Sequence, residues 1–455
     1  MGDQATVANR PEQSITRVVD GLPRRVGLPA VVQTLWLLFE MDSCVRHMYE
    51  RYPDEEMLTF RVLGFGDVVT VLDPDLIREV LTGDGEVLRA GEANAEAMMF
   101  LGPNSVVLLD GEPHLQARRL LLPPFHGEAI AHHQQVVEQV TAAEVEHWPV
   151  GGPFALWPRM RAIGMEVILR TLFGVRDDSR RQRLGELLPG IAGGGVFALM
   201  AETKLPWLTR GRLGRRLPRV RTRAQADLLL YEEIADHRAD PEGREDVLAM
   251  LIAARDEYGH GLSDQELRDH MLTLVGGGFD TTAAALAWCF ELVLRHTDVL
   301  ARCRETDVDD EYLTAVVNET LRIRPIFDGA SRKLSEPLQL GGYRLPAGTF
   351  LAASIAGVQR SPKAYADPWR FDPDRMLDHR PAPYTLIPFG GGTRRCIGAS
   401  FAMMEIKTVL RTVLQHIRLR PASPRSERSS RTRSIAIIPA RGARVIATAR
   451  NALTS

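Results

Sequence analysis

The residues best placed to do chemistry lie in a ten-residue frame that closes on a cysteine. It reads Phe389-Gly390-Gly391-Gly392-Thr393-Arg394-Arg395-Cys396-Ile397-Gly398. An aromatic, a glycine, a cation, a cysteine and a glycine at these places arise by chance about once in 10⁴ chains. A cysteine thiolate is a nucleophile and a metal ligand, whereas the thiol is neither. An apolar-periodic segment follows at once, from Ala399 through Phe401, Ile406 and Leu410 to Leu414, and predicts a helix. Cys396 then sits just before a helix N-terminus, where unpaired N–H groups and the helix dipole favour an anion. Gly392 and Gly398 would let backbone come close to the sulfur and its ligand. A buried structural cysteine, the usual fate of a lone Cys, leaves the frame unexplained. A phosphate cradle would need a Gly-Lys-Ser/Thr ending, which is missing.

A second cluster is Gly276-Gly277-Gly278-Phe279-Asp280-Thr281-Thr282. It lies in a segment that is apolar nearly all round, so the helix should be buried. Its start is marked by a capping box, Ser263-Asp264-Gln265-Glu266. Each interior glycine costs a helix about 1 kcal/mol relative to Ala, and an unpaired carboxylate costs more. Several unfavourable choices at one place point to a site. The Thr281 hydroxyl can bond back to the Gly277 carbonyl, bending and opening the helix. Two further pairs share helix faces: Glu319 with Arg322, three apart, and His114 with Arg118, four apart.

These groups need a scaffold large enough to bury them. The chain has 455 residues, 45% hydrophobic content and a formal net charge of -2, which argues against a nucleic-acid binder. Four widely spaced cysteines make neither a disulfide framework nor a zinc set, and fit a reducing compartment. The run Val31-Val32-Gln33-Thr34-Leu35-Trp36-Leu37-Leu38-Phe39 is too short to span a bilayer and reads as a first amphipathic helix. Residues 57–72 alternate as a β-hairpin, a helix follows from Asp73-Pro74 to Leu81, and 89–109 reads as a long loop. From about 112 to 300 the pattern is helical, with strands returning near 336–355 and 434–448. The fold class is mainly α (α+β).

The Cys396 loop resembles the haem-binding signature of the cytochrome P-450 family, of the soluble bacterial type without an N-terminal anchor. Gly276–Thr282 resembles its oxygen-activation motif at every place. Glu319-x-x-Arg322, Phe371-Asp372-Pro373-Asp374-Arg375, His114-x-x-x-Arg118 and Arg332 follow in family order from about residue 110 to 400. The resemblance implies a triangular helical prism with a small β-rich part, as one domain over 1–455. The β-rich part would be about 50–75 and 335–355, and the helical part about 110–330 and 396–418. It implies haem b ligated by Cys396, a ligation that favours O–O cleavage. Phe389, Gly277, Gly278 and Gly398 would lie against the porphyrin. His114, Arg118, Arg332 and Arg394 would hold its propionates. Asp280 would relay protons, and Thr281 would steady the bound oxygen. Glu319, Arg322 and Arg375 would form a structural triad beneath the haem loop.

The activity so implied is a monooxygenase acting on dioxygen, with electrons from NAD(P)H through a separate ferredoxin or flavodoxin. Arg118, Arg119, Arg395 and Lys407 would dock that acidic partner. Candidate pocket residues are Met98, Met99, Phe100, Phe197, Phe279, Phe327 and Ile435, which suit a lipophilic small molecule. Lys204 to Arg223 carries seven arginines. It is a solvated face or an attractor for an acidic carrier protein, a carboxylate substrate or a membrane surface. A cytoplasmic enzyme of secondary metabolism is expected. Alternatives on the same scaffold are a peroxide-driven oxygenase, an oxidative coupling enzyme, or a non-catalytic haem sensor or binding protein. The intact Asp280–Thr281 pair argues against the last.

Overall fold

The computed structural model describes residues 18–125, 127–192, 218–305, 307–378 and 380–450. Phe197 and the stretch Lys204–Leu217 lie outside the described residues. Helices come first in the architecture: α1 (Ala30–Phe39), α2 (Met41–Arg51), α3 (Pro74–Thr82), α4 (Ala90–Met98), α5 (Gly111–Leu121), α6 (Glu128–Glu146), α7 (Leu156–Thr171) and α8 (Asp178–Ala192). Then follow α9 (Pro218–Ala239), α10 (Val247–Ala253), α11 (Asp264–Val293), α12 (Thr297–Cys303), α13 (Asp310–Ile323) and α14 (Ala399–His416). The largest sheet contains β1 (Met57–Val62), β2 (Gly66–Val71), β3 (Leu88–Arg89), β4 (Ala330–Leu334) and β5 (Phe350–Ala353), in the order β1-β2-β5-β4-β3. Only the β2–β5 pairing is parallel.

The central element is α11, about 45 Å long at 1.5 Å per residue. Its capping box is made: the Glu266 N–H donates to Ser263 Oγ (3.3 Å), and the Ser263 N–H donates to Glu266 Oε2 (2.8 Å). The run Ala283-Ala284-Ala285-Leu286-Ala287 is wholly buried. Small side chains there let α7, α9, α13 and α14 pack around the rod. Together they form the main hydrophobic core.

The hairpin of residues 57–72 and the helix after Asp73 form where the alternation places them; Asp73 Oδ1 accepts from the Asp75 and Leu76 N–H groups. The Gly341-Gly342 turn has two positive φ angles, 52° and 78°, as a tight hairpin requires. The segment 89–109 is different from its reading as a loop, since it holds α4 and a 3-10 turn, Met99–Leu101. The cap for α4 comes from outside the segment. The Asp110 carboxylate accepts from the Gly91 N–H (2.7 Å) and the Glu92 N–H (2.9 Å). Strand β4 also carries no strong local alternation, whereas the strand Ile417–Pro421 alternates buried and exposed residues directly after α14.

Helices α8, α9 and α10 meet at a buried charge cluster. His237 of α9 lies between Glu233, whose backbone oxygen is 2.9 Å from Nδ1, and Asp246 Oδ1, 3.0 Å from Nε2. Asp246 also caps α10, and Arg180 of α8 donates to Glu233 (2.7 Å) and Asp236 (2.6 Å). Arg244 closes the cluster at 3.1 Å from His237 Nε2. Burial opposes charge on His237, but the bonds to Asp246 and Glu233 outweigh it and raise its pKa to about 9. The raised value stabilises the fold fully below the ordinary histidine pKa, and that contribution is lost as pH rises through about 9. Its size is roughly 3 kcal/mol. Urea midpoints of the wild type and His237→Gln should differ at pH 6 and converge by pH 10.

Candidate active site

The loop carrying Cys396 is tied at both ends. The Cys396 N–H donates to the Phe389 carbonyl at 2.9 Å. Gly392 has φ +62°, and a Cβ there would lie 1.9 Å from the Leu81 carbonyl oxygen. Only glycine lets the loop press on the end of α3. Gly392 therefore makes room for Leu81, which corrects the reading that it makes room for the sulfur. Gly398 ends the loop as the N-cap of α14, and a Cβ there would face open space.

Cys396 is exposed, whereas Cys44, Cys289 and Cys303 are buried, with thiol pKa values pushed up to about 12 by burial. Protein packed around the Cys396 sulfur also raises its pKa, against the Gly398 N–H and the charges of Arg395 and Arg118. The helix start alone thus does not hold the sulfur ionised. A cation bound at the sulfur would, because coordination deprotonates a thiol outright.

Cationic residues gather beside it. Arg118 of α5 lies within Coulombic reach of Cys396 and Arg395. His114, one turn earlier, is buried; burial and the charges of Arg394, Arg118 and Arg332 lower its pKa to about 4. Arg332 of β4 is only 4% exposed, yet its hydrogen bond is to the Ser331 carbonyl (2.9 Å), with no carboxylate paired to it among the described residues. Burial and Arg394 push its pKa down to about 10. A buried guanidinium of this kind awaits an anion, and carboxylates match its planar fork. Arg394 is already engaged. It donates to Asp110 (2.6 Å) and to the Val106 (3.2 Å) and Leu109 carbonyls. Asp110 thus ties the cysteine loop to the N-terminus of α4, a role sequence reasoning missed.

The open face of α11 carries Gly277, where a Cβ would meet nothing, and Thr281, whose hydroxyl donates to the Gly277 carbonyl. The helix runs on unbroken through this bond. Two expectations change here. A Cβ on Gly278 would lie 2.8 Å from Ile168 Cδ1, so this glycine serves packing against α7 and not the open face. Phe279 is buried in the same seam, its backbone and Cβ 3.3–3.5 Å from the Cβ position of Gly164, which removes it from the pocket.

Asp280 is buried 2.9 Å from Arg161 Nε of α7 and accepts from the Ser434 hydroxyl. Burial raises its pKa, and both partners oppose the shift. Neither partner carried a signal in the sequence, since both come from distant segments. Glu319 and Arg322 are both fully buried and bidentate, at 2.7 and 2.8 Å. Glu319 Oε1 also accepts from Arg375 (3.1 Å) and from the Asp372 N–H (3.0 Å).

Among the pocket candidates, Met98, Phe327 and Ile435 are partly buried against the core. Phe100 is buried beneath the Arg223 guanidinium, and Met99 is exposed. Of the four docking cations, Arg119 pairs with Glu112 (3.4 Å) and Lys407 with Asp310 (2.5 Å). Arg118 and Arg395 have no carboxylate partner in the described structure and flank the cysteine.

The donor set fits a haem. Among the described residues no cluster of three His, Cys, Asp or Glu side chains could hold a bare metal ion. An iron already carried by a macrocycle needs only the one sulfur, and its carboxylates need the Arg332, His114 and Arg118 face.

Comparison with known proteins agrees with this geometry. The family model described as Cytochrome P450 matches residues 23–446. Cytochrome P450 135B1 of Mycobacterium tuberculosis is 40% identical over 435 residues, covering 93% of this chain and 91% of that one. Cytochrome P450 137 of the same organism is 39% identical over 432 residues, covering 93% and 90%. Among solved structures, retinoic acid bound cyanobacterial CYP120A1 superposes with a TM-score of 0.80 at 24% identity, covering 95% of this chain and 100% of that one. The cytochrome P450DA heme domain gives 0.79 at 22%, covering 96% and 99%.

Proposed function

This chain belongs to the cytochrome P450 family of haem monooxygenases, and we propose that it oxygenates a lipophilic small molecule with dioxygen and electrons from NAD(P)H. The observation that carries this reading is the junction of an accessible Cys396 with a buried Arg332, unpaired with any carboxylate among the described residues, and its neighbours His114 and Arg118. Cys396 would ligate the haem iron, and Arg332, His114 and Arg118 would hold the propionates. When bound, the haem supplies the iron at which dioxygen is reduced and split.

The chain's own residues then manage protons and access. Asp280 holds a carboxyl whose pKa burial raises, suited to carrying a proton from the Arg161–Ser434 side. Thr281, next to it, presents a hydroxyl on the open face of α11. Met98, Phe327 and Ile435 give the substrate side an apolar edge. Arg118 and Arg395 would receive an acidic ferredoxin or flavodoxin near the sulfur. We place the enzyme in the cytoplasm, in secondary metabolism, as one domain.

Thr281→Ala is the test. With ferredoxin, reductase and a lipophile that perturbs the haem spectrum, product should fall roughly tenfold to a hundredfold. NAD(P)H consumption should continue and appear as hydrogen peroxide. Product formation unchanged in the variant, with added peroxide as the oxidant, would favour the peroxide-driven alternative.

A further inference from the structure

The open face of α11 extends beyond Gly277 and Thr281. His270, Leu274, Gly277 and Thr281 follow one another at helical spacing, so they stand on one side of the rod. Leu274 and Thr281 are half-buried, and Gly277 is exposed. The flanking glycines face packed protein instead: a Cβ on Gly276 would lie 3.8 Å from Leu101 Cδ2, and one on Gly278 meets Ile168. His270 closes the open stripe at its N-terminal end. It is only 2% exposed, and its Nδ1 has no hydrogen-bond partner among the described residues. A polar atom so placed carries the full cost of its lost hydration. Burial lowers the pKa of the ring to about 4 against the opposing pull of Glu266 and Asp269, so the imidazole is neutral.

The charged groups around His270 are already engaged. Glu266 closes the capping box with Ser263. Asp269 accepts from the Asn104 N–H and side-chain amide, at 3.0 Å each, and from Arg268 (2.8 Å). Arg268 also donates to Asp227 (2.6 Å) and to the Leu101 carbonyl (3.3 Å). These bonds join this end of α11 to the segment that carries Met98. They also fix the carboxylates, which give the end of the stripe a negative field without offering it a partner.

We infer that His270 is a specificity-determining residue of the substrate site, and that it binds the hydroxyl of a long aliphatic alcohol whose far end reaches Thr281. The inference rests on the monooxygenase reading above. Eleven residues separate His270 from Thr281, which is about 16 Å along the axis. An extended chain advances roughly 1.2 Å per bond, so about twelve carbons cover that span. A hydroxyl both donates and accepts, and so satisfies Nδ1 in either tautomer. A carboxylate head would meet the field of Glu266 and Asp269. An ammonium head would find one acceptor for three N–H groups in an apolar site.

The test is titration of the haem-loaded full chain with dodecan-1-ol, tridecane and dodecanoate, read by the haem spectrum and by equilibrium dialysis. Dodecan-1-ol should bind most tightly of the three. His270→Leu should lower the ratio of alcohol to alkane affinity about fivefold to tenfold, with the ligand-free haem spectrum unchanged. His270→Asn, whose amide takes the place of Nδ1, should restore most of the ratio. Wild-type enzyme should oxidise the far end of the alcohol, and His270→Leu should scatter the position. A ratio unmoved in His270→Leu, or dodecanoate bound more tightly than the alcohol, overturns the inference. So does a ratio that falls equally in His270→Asn, which would make the residue structural. Failure of the monooxygenase reading looks different: dialysis would still show the His270-dependent preference in protein that forms no product.

Discussion

Cys396→Ala protein should lose turnover altogether and keep its fold. The reduced wild type under carbon monoxide should show the strongly red-shifted Soret band of thiolate ligation, and the variant should not. The fold survives because the side chain is exposed and the loop is held by other groups. The Cys396 N–H to Phe389 bond, the Gly392 contact with Leu81 and the Arg394–Asp110 pair all remain. Unchanged far-ultraviolet dichroism and unfolding midpoint would check that point. Cys44, Cys289 and Cys303 cannot substitute, since burial holds them as thiols. A red-shifted band and persistent product in the variant would remove the sulfur from the reaction and with it the proposed function.

The largest effect on stability is expected at Glu319. Arg322 uses its whole guanidinium: two bonds to Glu319, and others to the carbonyls of Gln359 (2.9 Å), Pro368 (2.8 Å) and Arg370 (3.1 Å). Glu319→Ala leaves that cation buried without its counter-charge, and also orphans the Asp372 N–H. Breaking a buried pair on one side costs about 3–5 kcal/mol. Urea unfolding followed by loss of the Soret band should register a loss of this size. Arg375→Ala should cost less, about 1–2 kcal/mol, because Arg375 is partly exposed and makes a single 3.1 Å contact with Glu319. Equal losses in the two variants would mean that Glu319 is not the hub. The three carbonyls that Arg322 gathers belong to the segment leading into the cysteine loop, so the triad positions that loop from beneath.

Much of the site was legible in the sequence because its chemistry is local. The Cys396 frame, the capping box at Ser263, the Thr281-to-Gly277 bond and the Glu319–Arg322 pair each need residues no more than ten positions apart. At that range spacing alone decides who can meet. The hairpin of residues 57–72 was legible for the same reason. The α4 helix was not, because its cap is the side chain of Asp110, nineteen residues beyond Gly91. Gly278 and Phe279 were placed on the wrong side of α11. In a helix apolar on every face, composition does not distinguish the side turned to α7 from the side turned to the site. Only the Ile168 contact and the Gly164 seam resolve it.

By itself, the order of residues determined the family and marked the candidate ligand, the helix expected to face it and the ion-pair hub, since each is written within a turn or a loop of chain. Tertiary structure alone decided the partners of charge. It gave Asp280 to Arg161 and Ser434, took Arg394 for Asp110, and left Arg332 without a paired carboxylate among the described residues. Those outcomes depend on which distant segments pack together. A buried charge takes its counter-ion from whichever element the packing brings within hydrogen-bond reach, and no short-range pattern records that choice.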